Sequence, residues 1–248
     1  MNKEAEYKAL CEDVEKCTIC HKVKFSPHLE NSDFLSHREN NEPCVNQWNN
    51  DYKCDYKESD IMIIGQDYGA FIDNQSPTDT KLKELIFDKL KINIDNDNHR
   101  LFLTNIANCY RQKTSTGKFN KGCLSICANK FMGRLIKIIS PKIIIVLGQD
   151  TFDALAFCDG AELTCRNPIP DDKDNKSNRN NKFSTIIKTS SYELIFENGL
   201  KIPVFPVYHP GSYGKMNINK VEDEEPNFDW KKITQYIEKE KQNEQNNQ

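Results

Sequence analysis

The chain has 248 residues and a formal net charge of -3. That size suits one large α/β domain, and the charge excludes a uniformly basic coat, so any nucleic-acid contact must come from local patches. Hydrophobic residues make up 37%, enough for one solid core, and no apolar run approaches the roughly 18 residues that span a membrane.

The charged opening of residues 1–16 reads as a helix from about Lys3 to Lys16 and contains no apolar signal region. Its expected compartment is the cytoplasm. Ten cysteines in a reducing compartment argue against a disulfide framework and for metal ligation, or for buried free thiols. Residues 21–59 are polar and lack periodicity, and read as an insertion or an excursion around a metal site. Ile61-Met62-Ile63-Ile64, bounded by Gly65, predicts a strand buried on both faces.

Leu82, Leu85, Ile86 and Leu90 share one helical face between Asp79 and Leu90, with Asp79 as the expected N-cap. Leu101-Phe102-Leu103-Thr104-Asn105 predicts a second buried strand. The stretch after it carries Arg111, Lys113, Lys118 and Lys121 and no acid. A helix follows from about Gly122 to Ile139. Pro141-Lys142 then introduces a third strand, Ile143 to Leu147, closed by Gly148, and Gln149 to Phe157 reads as a helix.

Residues 169–182 are low in complexity and polar, the composition of a flexible loop. Tyr192 to Phe196 and Lys201 to Phe205, joined by Glu197-Asn198-Gly199, predict a hairpin leading into Val207-Tyr208-His209-Pro210. Trp230, Ile233 and Ile237 fall at helical spacing in the last helix, and the polar tail after Glu240 is expected to fray.

Strands alternating with helices predict an α/β fold: a three-layer α/β/α sandwich around a mainly parallel sheet of about four strands, in one domain. In such sheets functional groups gather beyond the carboxyl ends of the strands. Asp67, Asn105 and His209 are all expected there. Asp67 follows a glycine-permitted turn, where a carboxylate can orient water or stabilise a cation; turn or cap duty is the alternative. The same tripeptide recurs as Gly148-Gln149-Asp150, where Asp150 opens a helix and is read as structural.

Asn105 offers a donor beside an acceptor, which matches the edge of uracil; the competing reading is a strand-end cap. A lone histidine is most often structural, but His209 is the one of five at a predicted strand end, in a loop carrying Gly211, Ser212 and Gly214. Cys17-x2-Cys20 is a chelating pair. Cys17, Cys20, Cys44 and Cys54 could form a four-thiolate zinc site within the N-terminal segment. Cys11, Cys158 and Cys165 read as buried or incidental thiols.

The segments from about Ile61 to Lys215 resemble the uracil-DNA glycosylase superfamily. One branch of it reads Gly-Gln-Asp-Pro-Tyr-His where this chain has Gly65-Gln66-Asp67-Tyr68-Gly69, without the proline. Thr104-Asn105-Ile106-Ala107-Asn108-Cys109 is similar to the Thr-Asn-Val-Val-Lys-Cys segment of the iron–sulfur branches, which also share the Pro141-Lys142 lead-in to a strand ending Leu147-Gly148. His209-Pro210-Gly211-Ser212 is similar to the His-Pro-Ser loop, with a glycine inserted or substituted.

The resemblance implies a base-flipping enzyme of DNA base-excision repair, which hydrolyses the N-glycosidic bond of uracil or a related deaminated base. Asp67 would position water and balance oxocarbenium-like charge, Asn105 would read the base, and His209 would donate to it as it leaves. Gly65, Gln66 and Ser212 would line the pocket, and Tyr68 or Phe71 would stack on the base. The family's cysteine order implies a [4Fe-4S] cluster on Cys17, Cys20, Cys109 and Cys127, with Cys123, one turn earlier, as rival fourth ligand and zinc as the alternative metal. Arg111, Lys113, Lys118 and Lys215 could meet phosphates.

The expected partner is DNA containing a deaminated base, met by a monomer and not at a membrane. The alternative is a metal-bearing nucleic-acid-binding module on the same fold without glycosylase activity, motivated by the altered turn at Tyr68-Gly69 and by Gly211. A third option is a small-molecule hydrolase built on Asp67.

Overall fold

The computed structural model describes residues 2–17, 19–22, 34–35, 56–67, 77–93, 100–108, 110–111, 121–165, 183–188, 192–211 and 228–246. In chain order the elements are α1 (Lys3–Glu15), α2 (Ile19–Lys22), β1 (Phe34–Leu35), β2 (Ile61–Gly65), α3 (Pro77–Leu85), β3 (Leu101–Asn105), β4 (Tyr110–Arg111), α4 (Lys121–Cys127), α5 (Gly133–Ile139), β5 (Ile143–Leu147), α6 (Gln149–Leu155), β6 (Ala161–Cys165), α7 (Phe183–Lys188), β7 (Tyr192–Phe196), β8 (Lys201–Val207) and α8 (Phe228–Asn246). Wider π turns extend α3 through Ile86–Leu90 and join α4 to α5 through Ala128–Met132. The helix expected from Gly122 to Ile139 is therefore continuous in path.

The strands form a six-stranded sheet in the order β3-β2-β5-β8-β7-β6. β3, β2, β5 and β8 are parallel, while β7 and β6 return antiparallel. Six strands replace the expected four or so. The added edge strand, Ala161–Cys165, is half-exposed along most of its length and has no apolar run to announce it. β2, β3 and β5 are buried at every position, as their near-continuous apolar sequences require.

Side chains alternate across a strand, and here the alternation divides two cores. Met62, Ile64, Phe102, Ile144 and Val146 pack with Leu10 and Val14 of α1, with α4, α5 and α6, and with Cys123 and Cys127. Ile61, Ile63, Leu101, Leu103, Ile143 and Ile145 pack on the other face with Leu82, Leu85 and Ile86, and with Trp230 and Ile233 of α8. These are the three layers. Each fully buried aliphatic side chain in them contributes about 1.5–3 kcal/mol, so the two apolar faces hold the sandwich together.

Helix ends follow local chemistry. Asn2 caps α1, its Oδ1 accepting from Glu4 N–H at 3.1 Å. α3 begins at Pro77, where the missing N–H costs nothing. Asp79, expected as its N-cap, instead lies inside the first turn. Lys91 and Ser140 adopt left-handed conformations, φ 58° and 52°, to end the Ile86–Leu90 turn and α5. α8 runs to Asn246, exposed from residue 238 onward. A two-stranded ladder pairs Phe34 with Arg111 and Leu35 with Tyr110, which brings the N-terminal excursion against the segment that follows β3. Among the described residues no helix is long and apolar enough to cross a membrane.

Candidate active site

The parallel strands β2, β3 and β8 all deliver polar residues to the same, carboxyl, edge of the sheet. β2 and β3 run in register, with Gly65 opposite Asn105. Beyond the register the two exits stay tied: Ile106 N–H donates to Gly65 O at 2.9 Å and Ala107 N–H to Gln66 O at 3.0 Å. Asn105 is 2% exposed, and its side chain lies over Gly65, where a Cβ would collide with Asn105 Oδ1. Position 65 therefore needs glycine for a reason beyond the turn: it leaves room for the carboxamide. Gln66 and Asp67 follow at the rim, both half-buried.

His209 leaves the end of β8, two strands from β2. Val207 O accepts from Gly148 N–H at 2.9 Å, and Gly148, at φ +88°, sits beside His209 Cβ. Gly211 N–H donates to His209 Nδ1 at 3.1 Å. A backbone N–H always carries its hydrogen, so Nδ1 is the bare acceptor and Nε2 carries the ring proton. The imidazole thus presents an Nε2–H donor. A Cβ at Gly211 would stand 2.9 Å from Thr78 Oγ1 and 3.0 Å from His209 Nδ1. The glycine that departs from the His-Pro-Ser pattern is the residue that lets this loop close between its own histidine and the start of α3.

Tyr208, just before His209, is held from two sides. Its ring packs against Ile187 and edge-on to Phe183 of α7, with centroids 5.7 Å apart. Its N–H donates to Asp229 Oδ2 at 2.9 Å. Asp229 is a residue that sequence reasoning missed. It follows the acidic residues 222–225 after a three-residue gap, and the local signal is an acid one residue before the buried Trp230 at the start of a helix.

The second Gly-Gln-Asp copy is placed differently from the first. Asp150 lies in the first turn of α6 and pairs with Lys121 Nζ at 2.6 Å. That pairing also occupies one lysine of the basic stretch. Arg111 lies on β4, while Tyr68, Phe71, Lys113, Lys118, Ser212 and Lys215 lie outside the described residues. A cavity of about 550 Å³ opens at the opposite, amino, edge of the sheet, lined by Asp60, Arg100, Lys142, Glu193 and Tyr236 among others. Its charges are balanced, with Arg100 paired to Asp60 and Lys142 to Glu244. It holds none of the strand-end groups.

Four of the described cysteines meet the core layer that α1 and α4 share. Cys123 and Cys127 are buried in the α1–α4 layer, and Cys17 and Cys20 pack against it. Cys20 hydrogen-bonds with both Cys123 and Cys127. Its thiol is pushed up to about 12: the Cys123 contact lowers it, but the Cys127 contact and burial outweigh that. The Cys123 thiol is raised by its hydrogen bond to Cys20 and then by burial. Among the described residues no three His, Cys, Asp or Glu side chains close into a metal site. Cys109, Cys44 and Cys54 lie outside those residues. The described donors are soft thiols, Cys17 before α2, Cys20 on α2, and Cys123 and Cys127 on α4, which fit an iron–sulfur cluster in ligand chemistry.

No curated relative matches the chain. A family model, the uracil DNA glycosylase superfamily, matches residues 52–231. The match spans every strand of the large sheet and each of the three polar strand exits. The chain therefore belongs to the uracil DNA glycosylase superfamily, a family of DNA glycosylases.

Proposed function

We propose that this protein hydrolyses the N-glycosidic bond of uracil, or of a related deaminated base, in DNA. The observation that carries the reading is the pairing of a buried carboxamide with a fixed imidazole donor at one sheet edge: Asn105 over Gly65, and His209 with its Nδ1 committed to Gly211. At the usual strand spacing the exits of β2 and β8, on either side of β5, stand about 10 Å apart, room for a flipped pyrimidine.

In this reading Asn105 reads the base through its donor and acceptor. The bond from the base nitrogen to C1′ breaks with its electron pair on the base, and His209 Nε2–H donates to the oxygen where that charge develops. Asp67 balances the cationic sugar and orients a water, whose oxygen bonds to C1′ and whose proton passes to the carboxylate and on to solvent or the base. Gln66 and Ser212 line the pocket, and Tyr68 or Phe71 stacks on the base. Arg111, Lys113, Lys118 and Lys215 hold phosphates.

The thiols would hold a [4Fe-4S] cluster through Cys17, Cys20, Cys109 and Cys127. When bound, such a cluster supplies a link between the end of α1 and α4. In this reading its part would be structural.

The test is release of base from a uracil-containing oligonucleotide, with hypoxanthine and xanthine duplexes alongside. Wild type is expected to release uracil or one of these bases, and Asp67→Asn to fall by about 100-fold or more with the fold unchanged. A folded wild type that binds DNA in a salt-sensitive way and releases no base would overturn excision in favour of a binding module.

A further inference from the structure

We propose that Asp229 is a positioning residue, which fixes the His209 imidazole through the backbone of Tyr208. The proposal rests on the assignment of His209 as the donor to the departing base, and goes on to say what holds that donor in place.

Asp229 stands one residue inside α8 and is 3% exposed. Its carboxylate accepts two backbone N–H groups, Trp230 N–H on Oδ1 at 3.0 Å and Tyr208 N–H on Oδ2 at 2.9 Å. The first is one of the orphan donors of a helix start. The second is the first N–H past the end of β8. One residue earlier Val207 O is held by Gly148, and three residues later Gly211 N–H holds the imidazole. His209 is thus bracketed by fixed points at 207, 208 and 211, and the one at 208 comes from a different layer of the fold.

The residue type is costly for capping alone. Burial raises the Asp229 pKa, against the help of its two N–H donors and of Lys232 one turn on. Lys232 Nζ also donates to Ile187 O at 2.8 Å and Lys188 O at 3.0 Å, which ties the start of α8 to the end of α7. A serine or asparagine would cap a helix without burying charge. A carboxylate is the side chain that offers both oxygens as acceptors to two diverging N–H groups. Its geometry joins helix start and histidine loop into one rigid unit, and a reacting group displaced by about 1 Å costs on the order of 100-fold in rate.

The test uses the full chain with Asp229→Asn and Asp229→Ala. Asparagine keeps one acceptor but sets an NH2 against the other N–H. Long-range 1H–15N correlations of the imidazole, assigned by loss of signal in His209→Gln, are expected to show an Nε2–H ring in wild type. In Asp229→Asn they should show a shifted or mixed tautomer.

Excision by Asp229→Asn under single-turnover conditions should fall by about 10- to 100-fold, with DNA affinity within about twofold and Tm within about 3 °C of wild type. An unchanged His209 ring spectrum in Asp229→Asn overturns the proposal, as does a rate loss matched by loss of folded protein. The ring spectrum needs no substrate, so it decides the positioning role even where wild type excises nothing. Should Asp229→Ala fail to fold, Asp229→Asn carries the test.

Discussion

A single methyl group at position 65 would occupy the space now held by Asn105 Oδ1. Gly65→Ala is expected to swing the carboxamide out of place and lower base excision by about 100-fold, while the urea midpoint moves little because the strand stays apolar. The measurement is single-turnover excision beside denaturation; an alanine variant with wild-type rate would show that Asn105 does not read the base from this position. Asn105 was legible in the sequence because it ends an apolar run and falls in a motif. Asp229 was not, because its partner Tyr208 lies 21 positions away and no pattern links a carboxylate to a distant backbone N–H. Gly211 looked like a defect in the His-Pro-Ser match; its cause is the space between Thr78 and His209, which a sequence does not display.

Among the elements, β2, β3 and β5 could be read directly, since strands buried on both faces must be apolar throughout. The hairpin of β7 and β8 could be read from its Asn198-Gly199 turn, where Gly199 takes φ +84°. β6 and α7 escaped notice. β6 is half-exposed, and α7 is a six-residue helix that follows a polar stretch and is fixed by contacts with Tyr208 rather than by its own periodicity. α4 carries two of the thiols proposed as cluster ligands or their rivals. Both of its thiols touch Cys20, four residues apart on one face. Cys127→Ser is expected to abolish the blue-region absorption and lower the bound iron of anaerobically purified protein, and Cys123→Ser to leave both in place. The reverse result would assign Cys123 as ligand, and a colourless zinc-loaded wild type would remove iron altogether.

At the scale of the whole molecule, stability against pH is set by carboxylates that pull in opposite directions. Asp229 has its pKa raised by burial from 3.8. As pH climbs past that ordinary value the unfolded chain gives up a proton that the folded one retains, so stability falls through the window up to the raised folded value. Asp13 is the opposite case, its carboxyl lowered chiefly by the hydrogen bond from Arg134; its contribution is present above 3.8 and lost as pH falls toward the folded value. Urea denaturation between about pH 4 and pH 7 should therefore show a shallower decline for Asp229→Asn than for wild type. Equal slopes would mean that Asp229 ionises as easily folded as unfolded.

The two-sided burial of β3 has a consequence for how the strand is threaded. Leu101, Phe102 and Leu103 suit either face of the sheet, so a misthreading by one residue would leave hydrophobicity nearly intact while sending Asn105 into the thiol layer and Thr104 to the working edge. Apolar pattern does not guard the frame here. The guard is the fit of one carboxamide over one missing side chain, backed by the paired exits at Gly65 and Gln66. A slip at β3 would thus be resisted at its polar end, by the cost of burying Asn105 among apolar groups and thiols, rather than along its apolar run.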